Sequence, residues 1–98
     1  MTRKVSLLVN EQSIDLDYFV QAFIDHAIAG MLESLEGTGP IKSADIIVEG
    51  DKTTVVLNKA LVATNPFVGK IIRNTILGMV SSLKGVNEIK KVTIGIKK

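Results

Sequence analysis

Hydrophobic and polar residues alternate in four short segments of the chain, which is the pattern of half-buried β-strands. The segments cover residues 5–10, 44–49, about 53–61 and 91–96. A tight turn over residues 49–52 joins the second strand to the third.

Between the first and second strands, and again between the third and fourth, apolar residues return at helical spacing. The first predicted helix has Asp15 or Asp17 as its N-cap, and the second has Asn65. We expect the helices to stop at Gly37 and Gly85, because glycine adopts the left-handed C-cap conformation without strain. Each helix would have about 20 residues and a length of roughly 30 Å.

The two halves of the chain resemble each other. Displacing the sequence by 48 positions places residues 3–50 on residues 51–98 without a gap, and 14 of the 48 pairs are identical. Roughly three identities are expected by chance for a chain of ordinary composition. We therefore interpret residues 1–98 as a single domain that contains an internal duplication and an approximate two-fold axis.

The predicted element order is βαββαβ. This duplicated order resembles the ferredoxin-like α+β sandwich, a two-layer fold with an antiparallel sheet in the order 4-1-3-2 and two helices on one face. The resemblance implies a fold and no particular activity, because this fold carries enzymes, nucleic-acid binders and oligomerisation modules alike.

The apolar sector of each helix is wider than the roughly 100° stripe that contact with one sheet requires. One stripe would face the sheet, and a second lies beside it. Gly30 and Gly78 lie within the second stripe at equivalent positions, where each costs about 1 kcal/mol relative to alanine. We expect the helices of one chain to cross there through Gly30, Gly78, Ser34 and Ser82. The alternatives are a helix-face dimer and a slot for a ligand. The second stripe comprises Phe19, Phe23, Ala27, Gly30 and Ser34, matched by Phe67, Ile71, Thr75, Gly78 and Ser82.

Charge differs between the two helices. The polar arc of helix one is acidic, and the arc of helix two is basic, so neighbouring helices would attract each other weakly. The acidic residues are Asp17, Asp25, Glu33 and Glu36, and the basic residues are Lys70, Arg73 and Lys84.

The face of the sheet away from the helices would carry Leu8, Ile47 and Val56 on neighbouring strands. These side chains predict a modest apolar patch ringed by polar groups, which is a possible oligomer face. The chain is 46% hydrophobic, a larger share than a small two-layer core readily buries. We therefore expect a homodimer or a higher oligomer.

Composition excludes several kinds of site. The chain of 98 residues has no cysteine and one histidine, so disulfides, cysteine-ligated zinc and polyhistidine metal sites are excluded, and we predict no metal and no cofactor. His26 among helix-one polar groups is expected to be a surface or packing histidine; a cofactor-independent enzyme using it is a weaker alternative. No segment predicts a membrane span or a signal peptide, and we expect a cytoplasmic protein.

Basic residues cluster weakly, since the net charge is only +2. In the predicted topology five of them lie near one end of the sheet. The expected sheet surface has no aromatic side chain on which bases could stack, so nucleic-acid binding is a minor alternative. The possible basic patch is Arg3, Lys4, Lys52, Lys97 and Lys98.

Taken together, these patterns favour a non-catalytic, self-associating protein-interaction module. The alternative is a small apolar-ligand binding protein, because the wide apolar sector could enclose a ligand between the helices.

Overall fold

The computed structural model describes residues 4–35, 40–83, 86 and 88–98. Within these residues the fold is α+β, with two helices and one antiparallel sheet of six strands. In chain order the elements are β1 (Lys4–Val9), β2 (Gln12–Ser13), α1 (Tyr18–Glu33), β3 (Ser43–Glu49), β4 (Lys52–Leu57), β5 (Ala60–Val62), α2 (Pro66–Ser81) and β6 (Lys91–Lys97).

The strand order is β2-β1-β6-β3-β4-β5, so the predicted ferredoxin-like order 4-1-3-2 is wrong. In terms of the four predicted strands, the observed order is 1-4-2-3. The ferredoxin-like fold with its two helices on one face places the first and third strands at the centre. In this protein β3 and β6 are central, and β1 and β4 lie outside them.

Two hairpins that the sequence analysis did not predict explain the difference. Asn10 and Glu11, and equally Asn58 and Lys59, have positive φ values between 50° and 69°. Such two-residue turns reverse the chain tightly, so β2 folds back on β1 and β5 folds back on β4. One side of β1 and one side of β4 are thereby occupied, and only the other side can accept a full strand. The second strands of the two halves must then pair with each other at the centre.

The strand registers share the 48-residue offset of the sequence. Ile46 opposes Ile94 across the central pair, and these two residues are equivalent in the two halves. Lys4 opposes Lys97 across β1 and β6, as Lys52 opposes Glu49 across β4 and β3. An approximate two-fold axis through the Ile46–Ile94 pair therefore relates the two outer pairings of the sheet.

One face of the sheet forms the hydrophobic core together with both helices. The buried strand residues all have the same parity along their strands, as expected when one face is covered. The most deeply buried core residues include Leu7, Ile46 and Ile94 from the sheet, and Ile28 and Ile76 from the helices. The helix residues predicted to face the sheet are all buried or half-buried. They are Val20, Ile24, Ile28, Met31 and Leu35 in the first half of the chain, and Val68, Ile72, Ile76, Met79 and Leu83 in the second.

The helices begin where the sequence predicted, but they end earlier than predicted. Asp17 and Asn65 are the N-caps, and their side chains accept hydrogen bonds from the N–H groups of Val20 and Val68, both at 2.8 Å. Each helix has 16 residues instead of about 20 and is capped by Ser34 or Ser82. Gly37 and Gly85, the predicted stops, lie outside the described residues.

The turn residues Asn10 and Asn58 also bind the start of a distant strand. Asn10 Oδ1 accepts hydrogen bonds from the N–H groups of Lys90 and Lys91, and its Nδ2 donates to the Glu88 carbonyl. Asn58 makes the equivalent three bonds to Lys42, Ser43 and Pro40. We call these two networks the asparagine clamps. They fix β1 to β6 and β4 to β3 at the ends of those pairs.

Candidate functional site

The surface of the helix layer is unusually apolar. Phe19 and Phe67 are each 71% exposed, Phe23 is 54% exposed and Ile71 is 46% exposed. These four side chains, with Gly30 and Gly78, define the helix stripe. Its members recur at i, i+4 and i+11 in each helix, so they lie on one helical face. The sequence predicted the residues of this stripe, and the structure places them on the outside of the molecule.

A groove of about 380 Å³ runs between the helices beside the helix stripe. It is lined by the first half of α1 and by the last half of α2, so the helices lie antiparallel. The rings of Phe19 and Phe23 lie next to each other at one wall, with their centroids 6.1 Å apart and their planes tilted by 41°. The other lining residues are Val20, Ile24, Gly78, Met79, Ser82 and Leu83.

The predicted intrachain helix crossing is not at the glycines. Gly30 and Gly78 are exposed, and a Cβ added to either would have no atom within 4 Å in the surroundings described. The hydroxyls of Ser34 and Ser82 donate hydrogen bonds to the carbonyls of those glycines, at 2.9 and 3.1 Å. The two serines therefore close the last turn of each helix, and the backbone at Gly30 and Gly78 is exposed.

Charge on the two helices follows the prediction only in part, with Asp25 as an exception. Asp17 and Glu33 are exposed on α1 and Lys70 is exposed on α2, whereas Asp25 is only 1% exposed and belongs to the buried side. The exception arises because residue 25 lies about 100° from Ile24 on the helix, at the border of the core-facing sector. Glu36 and Lys84 lie outside the described residues. Arg73 on α2 is half-buried, and its guanidinium donates hydrogen bonds to the Gly50 carbonyl and to Asn74 Oδ1. Among the described residues, the exposed carboxylate within α1 is Glu33 and the exposed lysine within α2 is Lys70.

The predicted patch on the open face of the sheet is divided. Leu8, Ile47 and Val56 are half-buried and lie on β1, β3 and β4. Because β6 separates β1 from β3, Thr93 lies between Leu8 and Ile47. The three side chains do not occupy neighbouring strands as expected, since that expectation depended on the wrong strand order.

The predicted basic patch is divided as well. Lys4 opposes Lys97 at one end of the sheet, and Lys98 follows directly. Lys52 opposes Glu49 at the other end, so its predicted position near the termini is wrong. Arg3 lies outside the described residues.

Two further lysines lie at the end that carries Lys97, and the sequence analysis missed both. Lys59 follows β4 in the hairpin turn, and the Lys98 N–H donates a hydrogen bond to the carbonyl of Lys42 at 2.8 Å. We call this the lysine end of the sheet. The signal that could have revealed it is the pair Asn58-Lys59, which predicts a hairpin and brings Lys59 back toward the start of β3.

His26 is exposed on α1 in a shallow apolar hollow beside Phe19, Ala22, Phe23 and Ala27. None of the described residues that line this hollow is a carboxylate that could orient the imidazole. Within the described ranges, no group of three or more histidine and carboxylate side chains could hold a metal ion.

Comparison with protein families, curated proteins and solved structures gave no match for this chain. The described part of the chain contains no helix with the length and apolarity needed to cross a membrane.

Proposed function

We propose that this protein is a non-catalytic interaction module that self-associates through the helix stripe, and that the occupant of the stripe is a second copy of the chain. One observation carries the proposal: Phe19, Phe23, Phe67 and Ile71 lie exposed on one surface. Apolar patches of this kind are typical of protein contact sites.

The internal symmetry of the stripe favours a second copy over an unrelated partner. Phe19 and Phe67 are equivalent at the 48-residue offset, as are Phe23 and Ile71, and Gly30 and Gly78. An isologous dimer uses the same surface on both subunits, so a patch with its own approximate two-fold is well suited to it.

Charge complementarity determines the arrangement of the two copies. A dimer axis parallel to the helices places α1 of one copy antiparallel to α2 of the other. Glu33 of one copy then lies near Lys70 of the other, and the exposed backbone at Gly78 receives an aromatic ring. The alternative axis, perpendicular to the helices, would stack α1 on α1 and bring like charges together.

Light scattering coupled to size exclusion tests the proposal. The mass should be about twice the 10.6 kDa of one chain, and the double variant Phe19→Ser with Phe67→Ser should fall to the mass of one chain. Both rings are largely exposed, so the variant should fold. Leu61→Ser is the matched control, because Leu61 is 74% exposed but lies on β5, away from the helices. A one-chain mass for the unaltered protein, or dissociation by Leu61→Ser alone, would refute self-association through the helix stripe.

The charge arrangement has its own test. Lys70→Glu and Glu33→Lys should each weaken the dimer, because each places like charges across the interface. Combining them should restore it, since the pair is reversed but still complementary. Additive weakening in the combined variant would exclude the α1-on-α2 arrangement while leaving self-association itself intact.

The groove between the helices supports a second function, the binding of a small apolar ligand. Its volume of about 380 Å³ lies within the range of ligand pockets, roughly 300–1,000 Å³. Native mass spectrometry of freshly purified protein would show a persistent adduct, and Gly78→Leu should remove it by filling the groove. A spectrum with no adduct in the unaltered protein would exclude this alternative.

A further inference from the structure

The open face of the sheet contains a hollow of about 500 Å³ at the lysine end. Gly95 in the central strand β6 forms its floor. A Cβ at this position would lie 2.9 Å from Ser6 Oγ and 3.0 Å from Asp45 Oδ1. Glycine weakens the interior of a strand, and it often marks a place where another group approaches the backbone closely. We call this feature the lysine hollow, and its lining includes Lys4, Ser6, Ser43, Asp45, Lys59, Gly95 and Lys97.

Four charged side chains line the hollow, namely the lysines Lys4, Lys59 and Lys97 and the carboxylate of Asp45. Lys4 and Lys97 stand directly opposite each other across β1 and β6, and Ser43 opposes Lys97 from β3. Like charges in directly opposed positions destabilise a sheet. None of Lys4, Lys59 and Lys97 forms an ion pair with a described residue. An anion bound among them would remove the repulsion.

The equivalent place in the other half of the sheet is an internal control. There Ile47 fills the position of Gly95, Glu49 replaces Lys97 and Glu11 replaces Lys59. Glu49 lies between Lys91 and Lys52 across three strands, and Lys91 Nζ lies 3.4 Å from Glu11 Oε1. We call this the mixed end of the sheet. The same backbone arrangement thus carries an open, cationic hollow at one end and a filled, charge-paired surface at the other.

We propose that the lysine hollow binds a small phosphate monoester that also carries an amino or hydroxyl group. Lys4, Lys59 and Lys97 neutralise the phosphate, and the hydroxyls of Ser6 and Ser43 donate hydrogen bonds to it.

Asp45 determines the rest of the ligand. Asp45 Oδ1 and Ser6 Oγ lie 3.0 and 2.9 Å from the same point above Gly95, so the carboxylate is adjacent to the proposed phosphate position. It would accept a hydrogen bond from an amino or hydroxyl group of the ligand, and an ammonium group there would offset its repulsion of the phosphate. A nucleic-acid strand brings further phosphates and no ammonium group, so the arrangement favours a small molecule. The volume of the hollow is also that of a small-molecule site.

Amide NMR of the whole chain, titrated with O-phosphoethanolamine, tests the proposal. We expect saturable shifts of the Gly95, Ser6 and Asp45 amides. Lys97→Glu should abolish them, and so should Gly95→Ala, which fills the floor. Lys97 is exposed, so its variant keeps the fold even where Gly95→Ala does not. Lys52→Glu is the matched control because Lys52 is the equivalent of Lys4 at the mixed end, and it should bind as the unaltered protein does.

A second probe tests the role of Asp45. Ethyl phosphate carries the phosphate but no amino group, so it should bind more weakly than O-phosphoethanolamine. Asp45→Asn should remove most of that difference, because the neutral amide cannot attract the ammonium group.

Three results would overturn the proposal. The first is the absence of saturation by O-phosphoethanolamine. The second is equal loss in Lys52→Glu and Lys97→Glu, which would indicate an adventitious ion only. The third is displacement of O-phosphoethanolamine by an oligonucleotide without a terminal phosphate, at a concentration lower than O-phosphoethanolamine itself needs for binding. That result would indicate that the lysine end binds a nucleic-acid backbone. Each result is independent of the dimer mass, so failure here leaves the helix stripe unaffected.

Discussion

The two halves of the molecule agree in the groups that form the fold and differ in the groups that face solvent. The asparagine clamps, the helix N-caps and the glycines of the helix stripe occupy equivalent positions in both. The outward charges do not: Glu33 of α1 corresponds to Ser81 of α2, Lys70 of α2 corresponds to Ala22 of α1, and the lysine end contrasts with the mixed end. Groups needed for folding are thus shared by the halves, and the differences are concentrated on the surfaces to which we assign binding.

The largest expected effect concerns a shared group. Asn58→Ala removes three hydrogen bonds to the backbone at Pro40, Lys42 and Ser43, and it leaves a non-glycine residue at positive φ. We expect a loss of about 2 kcal/mol in the free energy of unfolding. Asn10→Ala should cost about the same. Urea unfolding followed by circular dichroism would measure both.

Asn58→Asp refines that experiment. Aspartate keeps an Oδ1 acceptor and tolerates the left-handed conformation, but it cannot donate to the Pro40 carbonyl. Its loss should be about half that of the alanine variant. If the alanine variants at residues 10 and 58 differed by more than about 1 kcal/mol, the two clamps would not be energetically equivalent.

The N-caps come next in size. Asp17→Ala and Asn65→Ala each remove one side-chain acceptor from the first turn of a helix, and each should cost about 1 kcal/mol. Ser and Thr are the natural rescue substitutions, since both can cap. Thermal unfolding of the alanine, serine and threonine variants at both positions would show whether the caps are interchangeable. A loss that serine does not recover would indicate that the residue acts through something other than capping.

Much of this fold could be predicted from the sequence, and strand order could not. Alternation indicated the four long strands, and spacing indicated both helices and their caps. The predicted order 4-1-3-2 and the observed order 1-4-2-3 have the same connections between consecutive strands. In both orders, one other strand lies between the two strands of each strand–helix–strand unit, and the hairpin between the second and third strands joins adjacent strands. Only the short hairpins after Val9 and Leu57 distinguish them. Their signal was an asparagine at the same position in both halves, Asn10 and Asn58, which alignment revealed as an identity without revealing its conformation.

The surfaces could be predicted in part for a related reason. Helical periodicity placed Phe19, Gly30, Phe67 and Gly78 on one stripe. Periodicity shows that these residues share a face of the helix, but it does not show whether that face contacts the same chain, a second molecule or solvent. The stripe was therefore assigned to contact within the chain. The lysine end depended on strand order, so Lys59 was missed and Lys52 was misplaced.

Alanine at the helix glycines distinguishes a free surface from a covered one. Gly30→Ala and Gly78→Ala should each raise the free energy of unfolding by about 1 kcal/mol, because nothing described lies within 4 Å of the added Cβ. If a second copy covers the stripe, Gly78→Leu should in addition weaken the dimer, whereas Gly69→Leu, outside the stripe, should not. Equal dimer strength in Gly78→Leu would mean that the partner does not approach this backbone.

The smallest expected effect tests the contrast between the ends of the sheet. Lys97→Glu converts the lysine end into the charge pattern of the mixed end, with a carboxylate opposite Lys4. We expect a gain of about 0.5 kcal/mol at low salt, which should fade as salt screens exposed charges. Glu49→Lys, the reverse change at the mixed end, should cost a similar amount by placing a third cation between Lys52 and Lys91. Urea midpoints at two ionic strengths would measure both variants.

If Lys97→Glu raises stability and also abolishes phosphate-monoester binding, the repulsion at the lysine end is maintained at the expense of stability. Destabilisation by Lys97→Glu at low salt would contradict repulsion between Lys4 and Lys97. The two ends of the sheet would then differ in sequence but not in the electrostatic contribution of their charges to stability.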